Sequence, residues 1–488
     1  MKRSRRMFLM GAGAAGLSVV SGGSDALAAS NGGASGGARY ATLLELEKCI
    51  GCGACVQGCR ERNEGRYPVV NGAMPELFPP GTKTEDWSQR QDVDDRLTPY
   101  NWLYIETVTV QKNGQSLDLH VPRRCMHCTN PPCANLCPWG ACSSDPQTGT
   151  VNISPATCLG GAKCRTVCPW HVPQRQSGVG PYLHLMPRFA GNGVMYKCDR
   201  CADSYAQGQL PACIEVCPEQ VQTIGPRAEL LAHAQALAAE RGHYLYGVTE
   251  NGGTNTFYLS PVPFEDLAAA AKPGPGRPTL ADVPDSMAQA ANLGRMLVAA
   301  PLAGMAAGMA RSAKSGSAAL EEKAAGAAGA ASAQSAPWSV PGWIKRVWVA
   351  LALVLGFTGM MQMPMATRYG LTRLPGMAWT GDFYATLNIH YVAGALLIAL
   401  CCLLMTLRLK VGGGFPRLVF WGTVRVWLVA GLVLTGIFRV LKNLPAFSFA
   451  PELVMGMDLA HLGLAAVLGV LSLVLWISGR KAWTGRAR

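Results

Sequence analysis

The chain has 488 residues, 18 of them cysteine, and a formal net charge of +13. That length admits two to four domains. The positive balance argues against a nucleic-acid partner: aromatic residues are not interleaved with the basic ones, and many Lys and Arg flank apolar stretches, the pattern of membrane topology. No Ser/His/Asp or paired-carboxylate arrangement points to catalysis by this chain alone.

The N-terminus reads as a targeting segment. Paired Arg5 and Arg6 stand in "SRRMFLM", an apolar stretch follows to Val20, and "ALAAS" offers a small-residue cleavage site after Ala28. Residues 1–28 are therefore expected to be a twin-arginine signal peptide, a route for proteins exported already folded. The alternative is the basic start of an ordinary membrane anchor. "GAGAAG" (Gly11 to Gly16) mimics a dinucleotide motif, but it lies within this segment and follows no strand.

Residues 39–265 are the cysteine-rich part, holding 16 of the 18 cysteines between Cys49 and Cys217. Motif one is Cys49, Cys52, Cys55 and Cys59. Motif two is Cys125, Cys128, Cys133 and Cys137, followed by Pro138. Motif three is Cys158, Cys164 and Cys168, followed by Pro169, with Gly161 where another cysteine would fall. Motif four is Cys198, Cys201, Cys213 and Cys217, followed by Pro218. Cysteines spaced by two residues let one tight loop present successive thiolates to an iron–sulfur centre, and the cysteine before proline reaches a neighbouring centre. Structural zinc would favour paired CxxC units instead. Residues within one CxxC loop are poor partners for a disulfide framework.

The stretches "LEKCIGCGACVQGCRERN", "CMHCTNPPCANLCPWGA" and "YKCDRCADSYAQGQLPACIEVCP" resemble the four-cluster ferredoxin-like electron-transfer subunits of respiratory oxidoreductases. The nearest groups are the β subunit of formate dehydrogenase-N and the ferredoxin subunit of periplasmic nickel–iron hydrogenases. "GGTNTFYLSPVPFEDL" (Gly252 to Leu267) fits the same groups less specifically. The resemblance implies a tandem bacterial-type ferredoxin domain of α+β class. It implies one 4Fe-4S cluster on Cys49, Cys52, Cys55 and Cys217, a second on Cys198, Cys201, Cys213 and Cys59, and a third on Cys125, Cys128, Cys133 and Cys168. The fourth set retains only Cys158, Cys164 and Cys137. Three thiolates suit a 3Fe-4S cluster, a departure similar to that in the ferredoxin-like subunit of respiratory nitrate reductase. An atypically ligated 4Fe-4S cluster, with Cys142 or a water completing it, is the alternative.

Beyond the cysteines, residues 266–295 and 311–342 are rich in Ala, Gly, Ser and Pro and read as linkers. Four apolar stretches lie within 343–479: Trp343 to Met363, Leu387 to Leu407, Leu418 to Phe438 and Met457 to Ile477. Each is near the ~20 residues that a spanning helix needs. If these were the only spans and the cysteine domain were exported, the segments facing outward would carry twelve basic residues and those facing inward four. That bias has the wrong sign. One more crossing corrects it, and "MLVAAPLAGMAAGMA" (296–310) is the candidate despite Pro301; a flexible linker or surface helix is the other reading. Residues 480–488 then form a cytoplasmic tail. The expected membrane part is all-α, with about five transmembrane helices.

Only two of the eight histidines, His390 and His461, fall in this apolar half. Each stands near the start of a span, on the same expected side. Ionisable groups within membranes are costly and usually functional. Two imidazoles on neighbouring helices suit the axial positions of one haem b, with Gly394 and Gly463 leaving room for the macrocycle. This half resembles the four-helix cytochrome b subunit of formate dehydrogenase-N, which carries two haems on four histidines, so one haem is expected to be missing here.

The resemblances together imply an inner-membrane, multi-pass electron-transfer subunit. Its iron–sulfur domain would be periplasmic and its C-terminus cytoplasmic. It would link a periplasmic catalytic subunit (a molybdenum oxidoreductase or nickel–iron hydrogenase) or a multihaem cytochrome c to quinone or quinol in the lipid. A cluster-bearing membrane sensor or assembly factor without quinone turnover is the competing class.

Overall fold

The structure, a computed structural model, describes residues 39–325, 340–410, 418–444, 447 and 449–480. The signal segment at 1–28, with Arg5 and Arg6, lies outside the described residues, as do tail positions 481–488. The chain divides into two compact units, one of residues 34–288 and 442–456, the other chiefly of residues 289–441 and 457–488.

In the first unit the elements are β1 (Tyr40–Glu45), α1 (Ala54–Asn63), β2 (Tyr104–Lys112), β3 (Gln115–Arg123), α2 (Pro132–Asn135), β4 (Cys142–Ser144) and β5 (Val151–Ile153). There follow α3 (Lys163–Thr166), β6 (Gln174–Gln176), β7 (Val194–Tyr196), α4 (Ala202–Tyr205), α5 (Ala212–Glu215), β8 (Gln222–Pro226), α6 (Arg227–Arg241), β9 (Tyr244–Tyr246), β10 (Thr256–Ser260) and α7 (Phe264–Ala270). The main sheet has the order β8-β1-β10-β9. β1 runs parallel to β10, with Thr42 opposite Thr256, and antiparallel to β8. Alternate residues of a strand face opposite ways. Ala41 and Leu43 from β1, with Phe257 and Leu259 from β10, accordingly form one face, which buries Leu230 and Ala234 of α6.

β2 and β3 form a nine-pair hairpin from Tyr104↔Arg123 to Lys112↔Gln115. Asn113 and Gly114 at its tip both have positive φ, 51° and 76°. An Asn-Gly pair between alternating runs is a strong hairpin signal, here visible in "VTVQKNGQSLDL". At the open end, the fully buried Arg123 binds Glu106 at 2.9 Å across the two strands. Short helices α1 to α5 sit within or just after the cysteine motifs.

The second unit is helical: α8 (Ala288–Ala325), α9 (Gly342–Met361), α10 (Pro364–Arg368), α11 (Phe383–Lys410), α12 (Phe420–Lys442) and α13 (Pro451–Ile477). Five of these, all but α10, are long and apolar enough to cross a membrane; in α8 the qualifying part is Ala288–Ala313. The segment 296–310 thus lies inside a longer helix, which passes through Pro301 and continues into residues expected as linker. Gly304 and Gly308 bring α8 against α11: a Cβ on Gly304 would stand 2.1 Å from the Ala399 carbonyl oxygen, and one on Gly308 would stand 2.7 Å from Thr406 Cβ. Small residues four apart allow such close backbone approach between apolar helices.

Candidate functional site

The cysteine loops fold tightly because several of their residues adopt left-handed backbone angles: Gly51, Gly53, His127, Ala162, Arg200 and Cys201 all have positive φ. Successive amides then turn towards one concavity, which favours anionic groups. Amides reach the sulfurs directly. The backbone N–H groups of Cys142, Met195, Arg200 and Val221 donate to Cys137, Cys158, Cys198 and Cys217, each at 3.4 Å. Asn251 Nδ2 donates to Cys128 at 3.4 Å and Asn63 Nδ2 to Cys59 at 3.6 Å.

Motif partners distant in sequence come together. Cys49, Cys52, Cys55 and Cys217 line one partly open pocket, walled by Ile105, Pro122 and Val221. Cys59 lies among Cys198, Cys201 and Cys213. Cys128 lies among Cys125, Cys133 and Cys168. Cys164 lies beside Cys158 and Cys137, with Cys133 and Cys168 behind them. Gly161 is exposed, as is Cys52 at the same place in motif one. The Cys142 thiol is engaged with Cys133, pulling the Cys133 thiol down, and it also feels Cys164, while its backbone N–H meets Cys137. Cys142 therefore stands between the third and fourth groups.

All 18 cysteines are free thiols. Burial pushes those of Cys55, Cys168 and Cys201 up to about 12. Several thiolates gathered in one dry pocket repel each other, and they need positive charge among them. A coordinated metal supplies that and deprotonates a thiol outright. Among the described residues no three His, Cys, Asp or Glu side chains converge tightly enough for a single metal ion. Four thiols converging on one largely apolar pocket instead fit a polynuclear iron–sulfur centre, since soft thiolates select such clusters.

Cations also surround the groups, which spacing did not reveal. Arg124 is buried and Nη1 donates to Cys213 Sγ at 3.3 Å. Burial works against its charge, but neighbouring Cys213 and Cys198 outweigh that and raise its pKa. Lys197, equally buried, donates to the Val151 and Cys198 carbonyls and lies among Cys125, Cys142, Cys133 and Cys198. Glu85 anchors the motif-three loop through a two-pronged contact with Arg165 at 2.7 and 2.8 Å, and through Arg175, which also donates to the Gly160 carbonyl at 3.0 Å. Burial alone would raise the Glu85 carboxyl; the two guanidinium groups hold it below the usual carboxylate range.

In the helical unit, His390 on α11 and His461 on α13 lie within electrostatic reach of one another. Each is held by a threonine. Thr358 Oγ1 on α9 lies 2.9 Å from His390 Nδ1, and Thr435 Oγ1 on α12 lies 2.7 Å from His461 Nδ1. Both hydroxyls also donate into their own helices, Thr358 to Val354 at 2.7 Å and Thr435 to Gly431 at 2.8 Å. A hydroxyl has one hydrogen, so each imidazole must donate from Nδ1. That tautomer leaves a lone pair on Nε2, as a metal-binding histidine requires. The residue after each threonine is glycine, and Cβ positions at Gly359 and Gly436 would stand 3.4 and 3.6 Å from the Cε1 atoms of His390 and His461. These are the glycines beside the rings. Gly394 faces Leu297 and Leu355 instead, and Gly463 faces open space. Arg439 binds Asp458, three residues before His461, at 2.9 Å.

Residues 48–141 and 118–227 each match a family described as a 4Fe-4S dicluster domain. The chain is 31% identical over 262 residues to the hydrogenase-2 operon protein HybA of Escherichia coli O157:H7, covering 46% of this chain and 71% of that protein. It is 29% identical over 252 residues to protein NrfC of Escherichia coli K12, covering 50% and 90%. It is also 27% identical over 229 residues to the nitrate-inducible formate dehydrogenase iron-sulfur subunit of the same strain, covering 46% and 68%. Each of these matches spans about half of the present chain.

Proposed function

The chain belongs to the family of ferredoxin-like iron–sulfur electron-transfer subunits of respiratory oxidoreductases, and from that premise we propose that it relays electrons between a periplasmic catalytic or cytochrome partner and the quinone pool. In this reading Cys49, Cys52, Cys55 and Cys217 hold one 4Fe-4S cluster. Cys59, Cys198, Cys201 and Cys213 hold a second, and Cys125, Cys128, Cys133 and Cys168 a third. Cys137, Cys158 and Cys164 hold a 3Fe-4S cluster, a reading supported by the engagement of the Cys142 thiol with Cys133. His390 and His461 hold one haem b through Nε2. The iron–sulfur part is exported and the C-terminus stays cytoplasmic. The cofactors supply the redox chemistry; the chain supplies distance, orientation and electrostatics.

The observation that carries the membrane half of this reading is the matched pair of threonine–histidine contacts. Any buried imidazole needs a hydrogen-bond partner; a haem ligand needs in addition that the partner hold its proton on Nδ1. Here two are fixed in the same sense, on two different helix pairs. The test is optical. Dithionite-reduced protein purified with its native partners is expected to show the α-band of a low-spin b haem, and quinol is expected to reduce it. Protein without haem, and unresponsive to quinol, would rule out the relay to quinone and favour a sensor or assembly role.

A further inference from the structure

Arg124 presents an unfinished set of hydrogen bonds. Its side chain is buried between the thiols of Cys213, Cys198 and Cys59. Nη1 donates to Cys213 Sγ at 3.3 Å. Nε and Nη2 are buried with no hydrogen-bond partner in the structure. Leaving buried charged donors unpaired costs several kcal/mol in general. Such a group persists where an acceptor completes it, and its strongest electrostatic partners are thiols of the second group, with Cys55 of the first also within reach. His127 faces the second group too. The Val151 N–H donates to its Nδ1 at 3.0 Å, so the ring proton of the neutral imidazole is on Nε2, 3.9 Å from Cys198 Sγ.

We infer that Arg124 is a positioning residue for the cluster of Cys59, Cys198, Cys201 and Cys213: Nε and Nη2 donate to its sulfurs, with His127 Nε2–H aimed at Cys198, and the two together set it at a higher reduction potential. The inference rests on the reading of those thiols as a cluster site. Hydrogen bonds to sulfur and net charge near a cluster both move its potential. A fixed cation and N–H donors favour the more negative, reduced state. Arg124 lies directly before motif two, at Cys125, yet it serves thiols of motifs one and four.

The experiment is an EPR-monitored redox titration of the purified native complex with iron quantified in parallel. R124Q is expected to keep its iron and to move the midpoint of one 4Fe-4S signal to more negative potential by more than any other. R124K, which keeps the charge but not the planar fork, is expected to fall between R124Q and the wild type. Full iron with every midpoint unchanged in R124Q overturns the inference. If R124Q and R124K both lose iron, H127Q decides: a negative shift of one signal supports the inference, and wild-type midpoints overturn it. The underlying cluster reading fails separately, if C201A leaves the iron content at the wild-type value.

Discussion

At the residue scale, the two threonine–histidine contacts define a specific dependence. Outer partners of metal-binding histidines typically contribute about 10–100-fold in affinity. Replacing Thr358 or Thr435 by Val keeps the shape and removes the acceptor for Nδ1–H, freeing the ring to adopt the wrong tautomer. Each variant is expected to lower haem occupancy and affinity by roughly that factor. His390→Ala or His461→Ala is expected to abolish the α-band, and retention of the band in both would defeat the ligand assignment. The cysteines were legible in the sequence because their spacing is itself the loop geometry. The threonines and Arg124 were not. Thr358 meets a histidine 32 residues away and Thr435 one 26 residues away, each on another helix. Arg124 serves Cys213 across 89 positions. No local pattern marks such partners, although the repeated Thr-Gly dipeptide, one copy in each of two apolar helices, was a visible hint.

At the element scale, α8 and the β2–β3 hairpin show opposite faults of local reading. The hairpin had a clear turn signal in Asn113–Gly114, but the density of turn residues around the cysteines masked it. α8 had a weak signal: its composition is mostly Ala and Gly, and Pro301 interrupts it. The bias of basic residues called for a crossing there, and the resemblance to the formate dehydrogenase β subunit, which ends in one membrane helix, supported it. The contact with α11 explains why so little hydrophobic bulk suffices, since the small residues are the packing surface. Gly304→Leu is therefore expected to force α8 away from α11. Overpacking of a tight contact typically costs about 1–3 kcal/mol. Thermal unfolding of the detergent-solubilised protein checks this. Gly356→Ala, where a Cβ meets nothing within 4 Å, is the control expected to leave the melting temperature unchanged. A melting temperature as high for Gly304→Leu as for the control would mean that the α8–α11 contact contributes no stability.

At the scale of the whole molecule, the proposed topology depends on the number of crossings, and five apolar helices satisfy the length requirement. An odd count places the two ends of the membrane part on opposite faces. A C-terminal fluorescent reporter is expected to be active and a C-terminal alkaline phosphatase inactive. The reverse pattern would mean that α8 does not span. The division into an α+β cysteine-rich unit and an all-α apolar unit was readable from composition alone, because the two halves answer to different solvents. The partner was not readable at either level: the surfaces that would meet another chain carry no periodicity of their own.

The pairing of β1 with β10 sets the order in which the molecule can be completed. Thr42 meets Thr256, so the sheet is closed by its first and its last strand. All sixteen cysteines of the iron–sulfur unit fall between those two strands. The clasp shuts only after every thiol has been made, because distant segments must meet and bear the loop-closure entropy before their contacts reward it. The two-strand clasp thus makes the last-made strand the partner of the first, so every thiol-bearing loop is in place in the chain before the sheet can be complete.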